Sequence, residues 1–223
     1  MEFDMRALDR SRRYKIIGAC VTPRPIAWVT SRASDGTGNV SPFSFFNVLG
    51  DNPPVLALGM VAHPEKRLKD TPANIRATGE FVVHLVNEAH GAAMNLTSID
   101  APAGFDENIL AGLELEPSTV VSVPRISSAP VAFECQLLHF IETGPHQVAI
   151  LAEVMYAHVR DEFVLDPERV HLDIPAMNLI SRLHGAGWYG RQTDKFEMLR
   201  PSWEQVEEGD GLEAFVANRL GTE

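Results

Sequence analysis

The feature that most constrains the fold is a series of predicted strands that follow one another through short turns. Ile26 to Ser31 is rich in β-branched and aromatic residues, and the cluster Ser34-Asp35-Gly36-Thr37-Gly38 turns the chain back. Further along, Gly144-Pro145 separates two more strand patterns. Parallel strands need long crossover connections, usually helices. Hairpins therefore favour a mainly β, antiparallel barrel over a doubly wound parallel sheet.

The remaining central elements are predicted from apolar runs, alternation and helix-breaking residues. The run at 54–61 is almost continuously apolar, which predicts a strand buried on both faces. Phe133, Cys135 and Leu137 alternate with Glu134 and Gln136, as in a strand with one polar face. The predicted elements are strands at 54–61, 80–86, 130–142 and 146–163, short helices at about 71–79 and 87–96, and long loops over 98–130.

The two ends of the chain carry different patterns. Residues 1–15 hold more basic than acidic side chains, which predicts a solvated arm. Pro23 and Pro25 force extended backbone over Cys20 to Pro25. At the other end, Leu212, Phe215, Val216 and Leu220 lie at helical spacing before Gly221, which predicts an amphipathic terminal helix. In the helix at 87–96, Ala92, Ala93 and Leu96 are expected on the inner side.

Composition narrows the class of protein. A chain of 223 residues can bury one sizeable core, so one domain over 1–223 is expected. Thirty acidic against 19 basic residues give a net charge of −11, which argues against nucleic acid or an anionic membrane as partner. The two cysteines, Cys20 and Cys135, have no ligand or disulfide spacing. Without an apolar leader or a bilayer-length run, a cytoplasmic protein is expected, with no metal site.

The stretch Asn39 to Pro54, NVSPFSFFNVLGDNPP, has the chemistry of a ligand cradle. It interleaves three aromatic rings (Phe43, Phe45 and Phe46) with hydroxyl and amide side chains (Ser41, Ser44 and Asn47). Rings give a planar ligand a surface, while hydroxyls, amides and the backbone N–H groups around Pro42 can bind its polar rim. A buried strand with a proline bulge explains the same residues without a ligand.

The segment Lys69-Asp70-Thr71-Pro72 has the pattern of a helix start. Thr71 suits an N-cap, Pro72 the first helical position and Gly79 the exit. Free N–H groups, the helix dipole and the Lys69 ammonium together favour a phosphate at this end. A capped surface helix with a solvated lysine remains the alternative.

Two other patterns are weak indicators of ligand binding. Gly185 to Gly190, GAGWYG, matches GxGxxG, but no βαβ unit surrounds it and two bulky aromatic residues occupy the positions where a helix should begin. It is therefore not expected to bind a dinucleotide in that way. His84 lies in an apolar strand, where a single histidine is more often a core residue than a ligand.

The blocks PRPIAWVTS (23–31), NVSPFSFFNVLGDNPP (39–54), KDTPANI (69–75), GEFVVHLV (79–86) and HQVAILAEV (146–154) together resemble the flavin reductase-like family of FMN-binding split barrels. The resemblance covers roughly residues 14–190 and leaves 191–223 as an extension. It implies an antiparallel Greek-key split β-barrel with short flanking helices and a C-terminal helix. It also implies a homodimer with one FMN per subunit near the dimer interface.

The resemblance assigns expected roles to individual residues. Stretches around Arg24 and Lys69 approach the flavin or its phosphate, the cradle lines the isoalloxazine and ribityl chain, and the loop HGAGWY lies where a nicotinamide would stack. The expected cofactor-binding residues are Arg24, Pro25, Ile26, Ala27, Asn39, Ser41, Pro42, Phe43, Ser44, Phe46, Asn47, Lys69, Asp70, Thr71 and Tyr189. The expected catalytic residue is His184.

The implied activity is an FMN-binding oxidoreductase, an NAD(P)H:flavin oxidoreductase that supplies reduced flavin or electrons to a separate acceptor such as a monooxygenase. Hydride transfer then belongs to the cofactors, and the protein supplies stacking, orientation and hydrogen bonds. Two alternatives stay open: a tightly bound FMN electron carrier without a nicotinamide site, and a non-enzymatic barrel for another planar ligand such as heme. A pyridoxamine-phosphate oxidase is the nearest enzymatic rival, although no second basic cluster for its substrate phosphate is evident.

Overall fold

The computed structural model describes residues 1–61, 69–102, 105–200 and 202–203. The described helices are α1 (Arg10–Cys20), α2 (Asp70–Thr78), α3 (Gly91–Leu96) and α4 (Glu107–Ala111), with 3₁₀ turns at Glu88–His90 and Asp161–Phe163. The described strands are β1 (Ala27–Arg32), β2 (Gly38–Phe43), β3 (Phe45–Asp51), β4 (Pro54–Val61), β5 (Glu80–Leu85), β6 (Leu115–Glu116), β7 (Arg125–Ile126), β8 (Val131–Gly144), β9 (Gln147–Val159), β10 (Val164–Asp166), β11 (His171–Leu172), β12 (Ile180–Arg182) and β13 (Tyr189–Arg191).

Seven of the described strands form one antiparallel sheet in the order β2-β1-β5-β8-β9-β4-β3. Its edge strands, β2 and β3, are consecutive in the chain and separated only by Ser44. Phe43 and Phe45 can be no more than about 7 Å apart, so both edges of the sheet must meet at Ser44. The sheet is therefore rolled into a barrel with a seam between β2 and β3. This confirms the predicted mainly β, antiparallel split barrel.

Two clusters of buried side chains lie on the two faces of this sheet. Ala27 and Val29 of β1 belong to the cluster inside the barrel, whereas Trp28 belongs to the second cluster on the other face. The inner cluster consists of Ala27, Val29, Leu56, Leu58, Met60, Ile75, Phe81, Val83, Cys135, Val148, Ile150 and Ala152. Burial on both faces explains why β1 and β5 are so apolar in sequence.

The N-terminal segment differs from the prediction of a solvated arm followed by extended chain. Residues 10–20 form α1, and the side chain of Asp9 caps this helix by accepting a hydrogen bond from the Arg12 N–H at 2.9 Å. Pro23 restricts only the residue before it, so it ends the helix without preventing one upstream. No residue of α1 is buried, so the sequence has no apolar stripe from which this helix could be predicted.

The start of α2 also differs from its prediction, although the helix itself is confirmed. Lys69 is the N-cap and makes no side-chain cap hydrogen bond. Thr71 lies within the first turn, is 1% exposed and accepts a hydrogen bond from Asn39 Nδ2 at 2.9 Å. Gly79 ends the helix in the left-handed region, with φ 76°, as its position predicted.

Three predictions about buried faces were wrong. Strand β4 alternates between buried and half-buried residues instead of being buried on both faces, because its outer face lines grooves. In α3 the prediction fails for Ala92 and Leu96, which are exposed, and holds for Ala93, which packs against the second cluster beside the buried Met94. Glu134, expected on a polar face, is fully buried beside a register shift in β8 that interrupts the alternation.

The chain divides into two compact units, residues 1–193 and 194–223. Nearly all of the described structure belongs to the first unit, and of the second only 194–200 and 202–203 are described. The predicted terminal helix at 212–220 lies outside the described residues, and the single-domain organisation stays a prediction. No helix among the described residues is long and apolar enough to cross a membrane.

Candidate functional site

An aromatic groove of about 420 Å³ lies beside the seam of the barrel. Phe45 and Phe46 line it together with the small residues Ala57 and Gly59 of β4. A Cβ atom at Gly59 would lie 3.0 Å from Cβ of Phe45, so only glycine lets this ring sit so close to the strand. Five predicted site residues line the groove: Arg24, Pro25, Ser44, Phe46 and Asn47.

Arg24 holds three separate parts of the chain together at this groove. Its guanidinium donates to the carbonyl oxygens of Gly18 and Val21, both at 2.6 Å, and to that of Leu183 at 3.0 Å. Its Nε lies 3.5 Å from Oγ of Ser44. Arg24 is 7% exposed, and these partners use its donors within the protein. Its side chain therefore builds the wall of the groove, anchoring the end of α1.

A basic groove of about 990 Å³ adjoins the aromatic groove, and Ile17 and Phe45 line both. Lys69, the predicted phosphate ligand, lines it with Arg10, Arg13 and residues of the turn between β8 and β9. The ammonium of Lys69 lies 3.9 Å from a carboxylate oxygen of Asp100, and its side chain is 39% exposed. Nδ1 of His146, which also lines this groove, is buried and has no hydrogen-bond partner among the described residues. The groove therefore has the donors that a phosphate needs.

The N-terminus of α2 is less suited to an anion than its sequence suggested. Burial raises the pKa of Glu107, and the neighbouring carboxylates of Asp70 and Asp106 raise it further. Three acidic side chains are thus close together beside this helix end. Because these carboxylates repel an anion, a phosphate is favoured on the Lys69 side of the helix end, in the basic groove.

Several predicted site residues lie behind the grooves instead of lining them. Asn39 is 6% exposed, and its amide is hydrogen-bonded to the equally buried Thr71. Phe43 packs against the inner core. The predicted residues that line neither the aromatic nor the basic groove are Ile26, Ala27, Asn39, Ser41, Pro42, Phe43, Asp70, Thr71, His184 and Tyr189. Ile26 and Ala27 are core residues whose side chains position the strand next to Pro25.

The loop HGAGWY joins β12 to β13 and is tied to the aromatic groove through Arg24, which binds the carbonyl of Leu183. His184 follows directly and is exposed, with its ring 6.2 Å from that of Trp188. Tyr189 lies under the guanidinium of Arg182, at 5.0 Å from the ring centroid. The GxGxxG match falls in this loop between two short strands, not in a βαβ unit, as expected.

Sequence reasoning missed the contribution of α1 to the site. Tyr14 and Ile17 line the basic groove, and the ring of Tyr14 lies 5.9 Å from that of Phe45. The helix itself was not predicted, so its residues could not be assigned to a groove. Recognising Asp9 as an N-cap before 11 residues free of proline was the one available signal.

A third, apolar groove of about 570 Å³ shares Pro25, Phe46 and Asn47 with the aromatic groove. Exposed apolar side chains surround it, including Val48 at 67% and Met155 at 50% exposed. Contiguous apolar surface of this kind is typical of a binding or subunit interface.

His84 is confirmed as a core residue. It is fully buried, with Nδ1 at 2.8 Å from the Trp28 carbonyl and Nε2 at 2.9 Å from the Ile126 N–H. These partners require a neutral ring with the proton on Nδ1. Burial lowers the pKa of His84 to about 4, partly offset by the Trp28 carbonyl.

Glu134 anchors the loop at 119–121, in which Val121 packs against Val82 and Ala132 of the sheet. Its carboxylate accepts hydrogen bonds from the N–H groups of Thr119 and Val120, each at 2.6 Å, from that of Val121 at 3.0 Å, and from His158 at 2.6 Å. Burial acts to raise the pKa of Glu134, but these donors together outweigh it and lower the pKa.

Comparison with known proteins gives consistent relatives along almost the whole chain. The sequence profile of the flavin reductase like domain matches residues 19–173. An uncharacterised protein of Deinococcus radiodurans is 40% identical over 222 residues, covering 95% of this chain and 97% of that protein. The uncharacterised protein YwrF of Bacillus subtilis is 37% identical over 206 residues, covering 90% and 98%.

Solved structures agree. The 2-nitrobenzoate 2-nitroreductase of Pseudomonas fluorescens is 33% identical with a TM-score of 0.82, covering 91% of this chain and 98% of its own. Component B of nitrilotriacetate monooxygenase from Bacillus cereus is 30% identical with a TM-score of 0.83, covering 89% and 98%. Flavoredoxin of Desulfovibrio vulgaris, 20% identical with a TM-score of 0.69 and covering 82% and 92%, shares the fold.

Proposed function

The chain belongs to the flavin reductase-like family, and on that premise we propose that it is an FMN-binding, NAD(P)H-dependent flavin reductase that passes reduced flavin or electrons to a separate acceptor such as a monooxygenase. The observation that carries the proposal is the continuity of two grooves. The aromatic groove is lined by Phe45 and Phe46, and it opens into the basic groove lined by Lys69. A planar ring joined to a phosphate likewise has an aromatic end and a negatively charged end, which match the aromatic and the basic groove.

In this proposal the isoalloxazine ring lies in the aromatic groove, against Phe46 and Pro25, with Ser44 and Asn47 at its polar rim. The phosphate lies in the basic groove beside Lys69. Asn39 and Thr71 contribute by holding β2 to α2, and thereby fix Lys69 relative to the seam. The fit to a flavin mononucleotide is supported by Nδ1 of His146 in the same groove, which lacks a hydrogen-bond partner within the described part of the chain.

When bound, the flavin supplies the hydride chemistry. The protein orients the ring, excludes water from one side of it and anchors the phosphate. The loop that carries the exposed His184 is tied to the wall of the aromatic groove through Arg24, which suits it to cover a nicotinamide. Tyr189, at the end of this loop, is half-buried and packs against the second cluster. Similarity to component B of nitrilotriacetate monooxygenase supports a monooxygenase as the acceptor.

We also propose a homodimer that pairs through the apolar groove. Val48, Met155 and Tyr156 are exposed there at 67%, 50% and 44%, and pairing would bury them next to the three residues shared with the aromatic groove. The flavin would then lie near the interface. Native mass spectrometry is expected to give twice the chain mass, and Met155→Glu to give the monomer. A wild-type monomer would contradict the dimer and this placement of the flavin.

An anaerobic visible spectrum tests the activity. Purified protein with added FMN is expected to retain flavin on gel filtration, and the flavin absorbance to bleach on addition of NADH or NADPH. Rapid bleaching by one nucleotide identifies the donor. Binding without bleaching would favour the electron-carrier alternative, and no binding would refute the flavin site.

Lys69→Ala tests the phosphate end, with Lys15→Ala as control because Lys15 is an exposed lysine of α1 that lines neither groove. Loss of one screened charge contact, worth about 1 kcal/mol, should weaken FMN binding roughly fivefold at low salt and less at 0.5 M salt. Fluorescence quenching of FMN measures the affinity. Equal effects of the two substitutions would remove Lys69 from the site.

A further inference from the structure

Three polar side chains away from the proposed flavin site are joined by consecutive hydrogen bonds. Oγ of Ser128 lies 2.9 Å from Nε2 of His90, and Nδ1 of the same ring lies 2.7 Å from Oδ1 of Asn87. None of the three lines the aromatic, the basic or the apolar groove. A hydroxyl, an imidazole and an amide in this order have the arrangement of a nucleophile, its general base and the group that orients the base.

The hydrogen bonds fix which atoms carry protons. The backbone N–H of His90 donates to the same oxygen of Asn87 at 3.0 Å, and because an N–H can only donate, the amide oxygen must face the ring. Nδ1 of His90 therefore carries the proton that it donates to Asn87. Nε2 is left as an acceptor, so the hydroxyl of Ser128 donates to it. In this tautomer an imidazole can take a proton from a serine.

The surroundings of His90 keep it in the neutral form that a base requires. Burial lowers its pKa, and the guanidinium of Arg160, directly after β9, lowers the pKa further. His84 of β5 also interacts with this ring, but its own lowered pKa leaves it neutral at pH 7. Glu88 of the same turn is ion-paired with Arg191. His90 is therefore unprotonated at pH 7 and can act as a base.

Ser128 is accessible and has a spare donor next to its hydroxyl. It is exposed in the turn between β7 and β8. Its own backbone N–H has no acceptor among the described residues, whereas the N–H groups of Ser127 and Ala129 donate to backbone carbonyls. In acyl transfer by serine enzymes, the N–H of the nucleophile itself is one of the donors that stabilise the negative oxygen of the tetrahedral intermediate.

Ser128 lies at the edge of a polar groove of about 480 Å³, because both of its chain neighbours, Ser127 and Ala129, line this groove. The charged residues of the lining include both signs: Glu116, Arg125, Arg160, Asp161 and Glu162. The volume falls within the range of about 300–1,000 Å³ that is typical of small-molecule sites. A lining with charges of both signs suits a small polar molecule and disfavours a lipid chain.

We propose that Ser128, His90 and Asn87 form a triad that takes acyl groups from short-chain esters of polar alcohols. Oγ of Ser128 attacks the ester carbonyl carbon while its proton passes to Nε2 of His90, and Asn87 holds the ring in the required tautomer. The carbon–oxygen bond of the ester then breaks, and the alcohol leaves with the proton from Nε2. Water releases the acyl group from Ser128 as a carboxylic acid by the same two steps. This hydrolysis needs no flavin, so it is independent of the proposed function.

The test is labelling of the full chain, without added flavin, by an alkyl fluorophosphonate, which loses fluoride on reaction with an activated serine. Peptide mass mapping is expected to find the label on Ser128. His90→Gln should slow the labelling about 100-fold, because a positioned general base contributes about 10²–10⁴-fold. Ser127→Ala is the matched control, since this neighbouring hydroxyl donates to the Glu114 carbonyl at 3.2 Å, and it should leave the rate unchanged. An unlabelled Ser128, or equal rates in the wild type and His90→Gln, would overturn the inference.

Asn87 is a positioning residue, and a pH profile separates this role from capping the turn. Asn87→Ala should slow the labelling, and Asn87→Asp should restore it, because a carboxylate accepts the same hydrogen bonds. The wild-type rate should fall as the pH drops through the lowered pKa of His90, below 6.5. In Asn87→Asp the carboxylate favours the charged imidazole, so the fall should occur at higher pH. Restoration without this shift would overturn the place of Asn87 in the triad.

Hydrolysis of p-nitrophenyl acetate, followed by the absorbance of released nitrophenolate, tests the acyl chemistry directly. The wild type should hydrolyse this ester at least about tenfold faster than Ser128→Ala. Urea unfolding of the two proteins should agree, because the hydroxyl removed is exposed, and a difference in rate then reports the chemistry and not the fold. Equal rates of hydrolysis would overturn the proposed activity.

Discussion

Protonation of His84 should destabilise the fold between pH 6.5 and 4. The ring is fully buried and accepts the Ile126 N–H at Nε2, so a second proton would place two donors against each other. Burial lowers its pKa to about 4 from an ordinary 6.5, with smaller contributions from Arg125, His158 and His90. In this range the unfolded chain binds a proton that the folded chain does not. Stability from this group is therefore complete above pH 6.5 and is lost as the pH falls.

Because the pKa of His84 is lowered by about 2.5, the free energy of unfolding should fall by about 3 kcal/mol between pH 7 and pH 4. Other groups also titrate there, because burial lowers the pKa of His90 and the hydrogen-bonded carboxylate of Glu134 has a lowered pKa. A comparison with His84→Leu separates their contributions, since the variant keeps both groups and removes only the buried imidazole. At pH 7 the variant should be less stable by roughly 2–3 kcal/mol, because the Ile126 N–H loses its partner.

The free energy of unfolding is measured by urea titration, followed by tryptophan fluorescence at fixed protein concentration, in steps from pH 7 to pH 4. The gap between wild type and His84→Leu should shrink from roughly 2–3 kcal/mol at pH 7 to near zero at pH 4. A gap that stays constant within about 1 kcal/mol over this range would refute the assignment of a buried, neutral histidine.

Three further predictions concern stability and the wall of the aromatic groove. Gly59→Ala should displace Phe45 and weaken FMN binding severalfold by fluorescence quenching. Gly18→Ala, whose added Cβ would meet no described atom within 4 Å outside its own helix, should leave FMN binding unchanged and stabilise α1 by about 0.5–1 kcal/mol. Arg24→Lys should cost about 2–3 kcal/mol in urea unfolding and speed proteolysis of residues 1–20, because one ammonium cannot serve three carbonyls; uniform proteolysis along the chain would contradict this role. Glu134→Gln should cost about 2–3 kcal/mol at pH 7 and progressively less as the pH falls through the lowered pKa of the wild-type carboxyl, and a cost independent of pH would contradict the carboxylate's role.

The grooves divide into parts that sequence patterns predict and parts that they do not. Ser44, Phe46 and Asn47, which line the aromatic groove, were predicted because rings, hydroxyls and amides alternate over Asn39 to Pro54, and alternation is a local property of a strand. Lys69 was recognisable because Thr71, Pro72 and Gly79 mark a helix nearby. The inward role of Asn39 and Thr71 was not, since their hydrogen bond joins segments 32 residues apart.

Arg24 shows the same division. The family resemblance predicts a position close to the cofactor, which stays a prediction, and the structure places Arg24 in the wall of the aromatic groove. Its partners lie 3, 6, 20 and 159 residues away, and no local pattern relates Arg24 to Leu183. The acidic surroundings of Asp70 likewise arise because α4 packs against β2, bringing Glu107 to the Val40 N–H at 3.3 Å.

By itself, the sequence determined the antiparallel barrel and the family of the protein. Hairpins, apolar alternation and a series of short motifs are local patterns, each contained in a short stretch of the chain. Tertiary structure alone decided that β2 and β3 form a seam at Ser44, that α1 supplies a basic face beside it, and that two grooves meet at Phe45. Each of these depends on residues far apart in the chain, whose proximity is set by how the sheet closes and not by any local preference of the residues themselves.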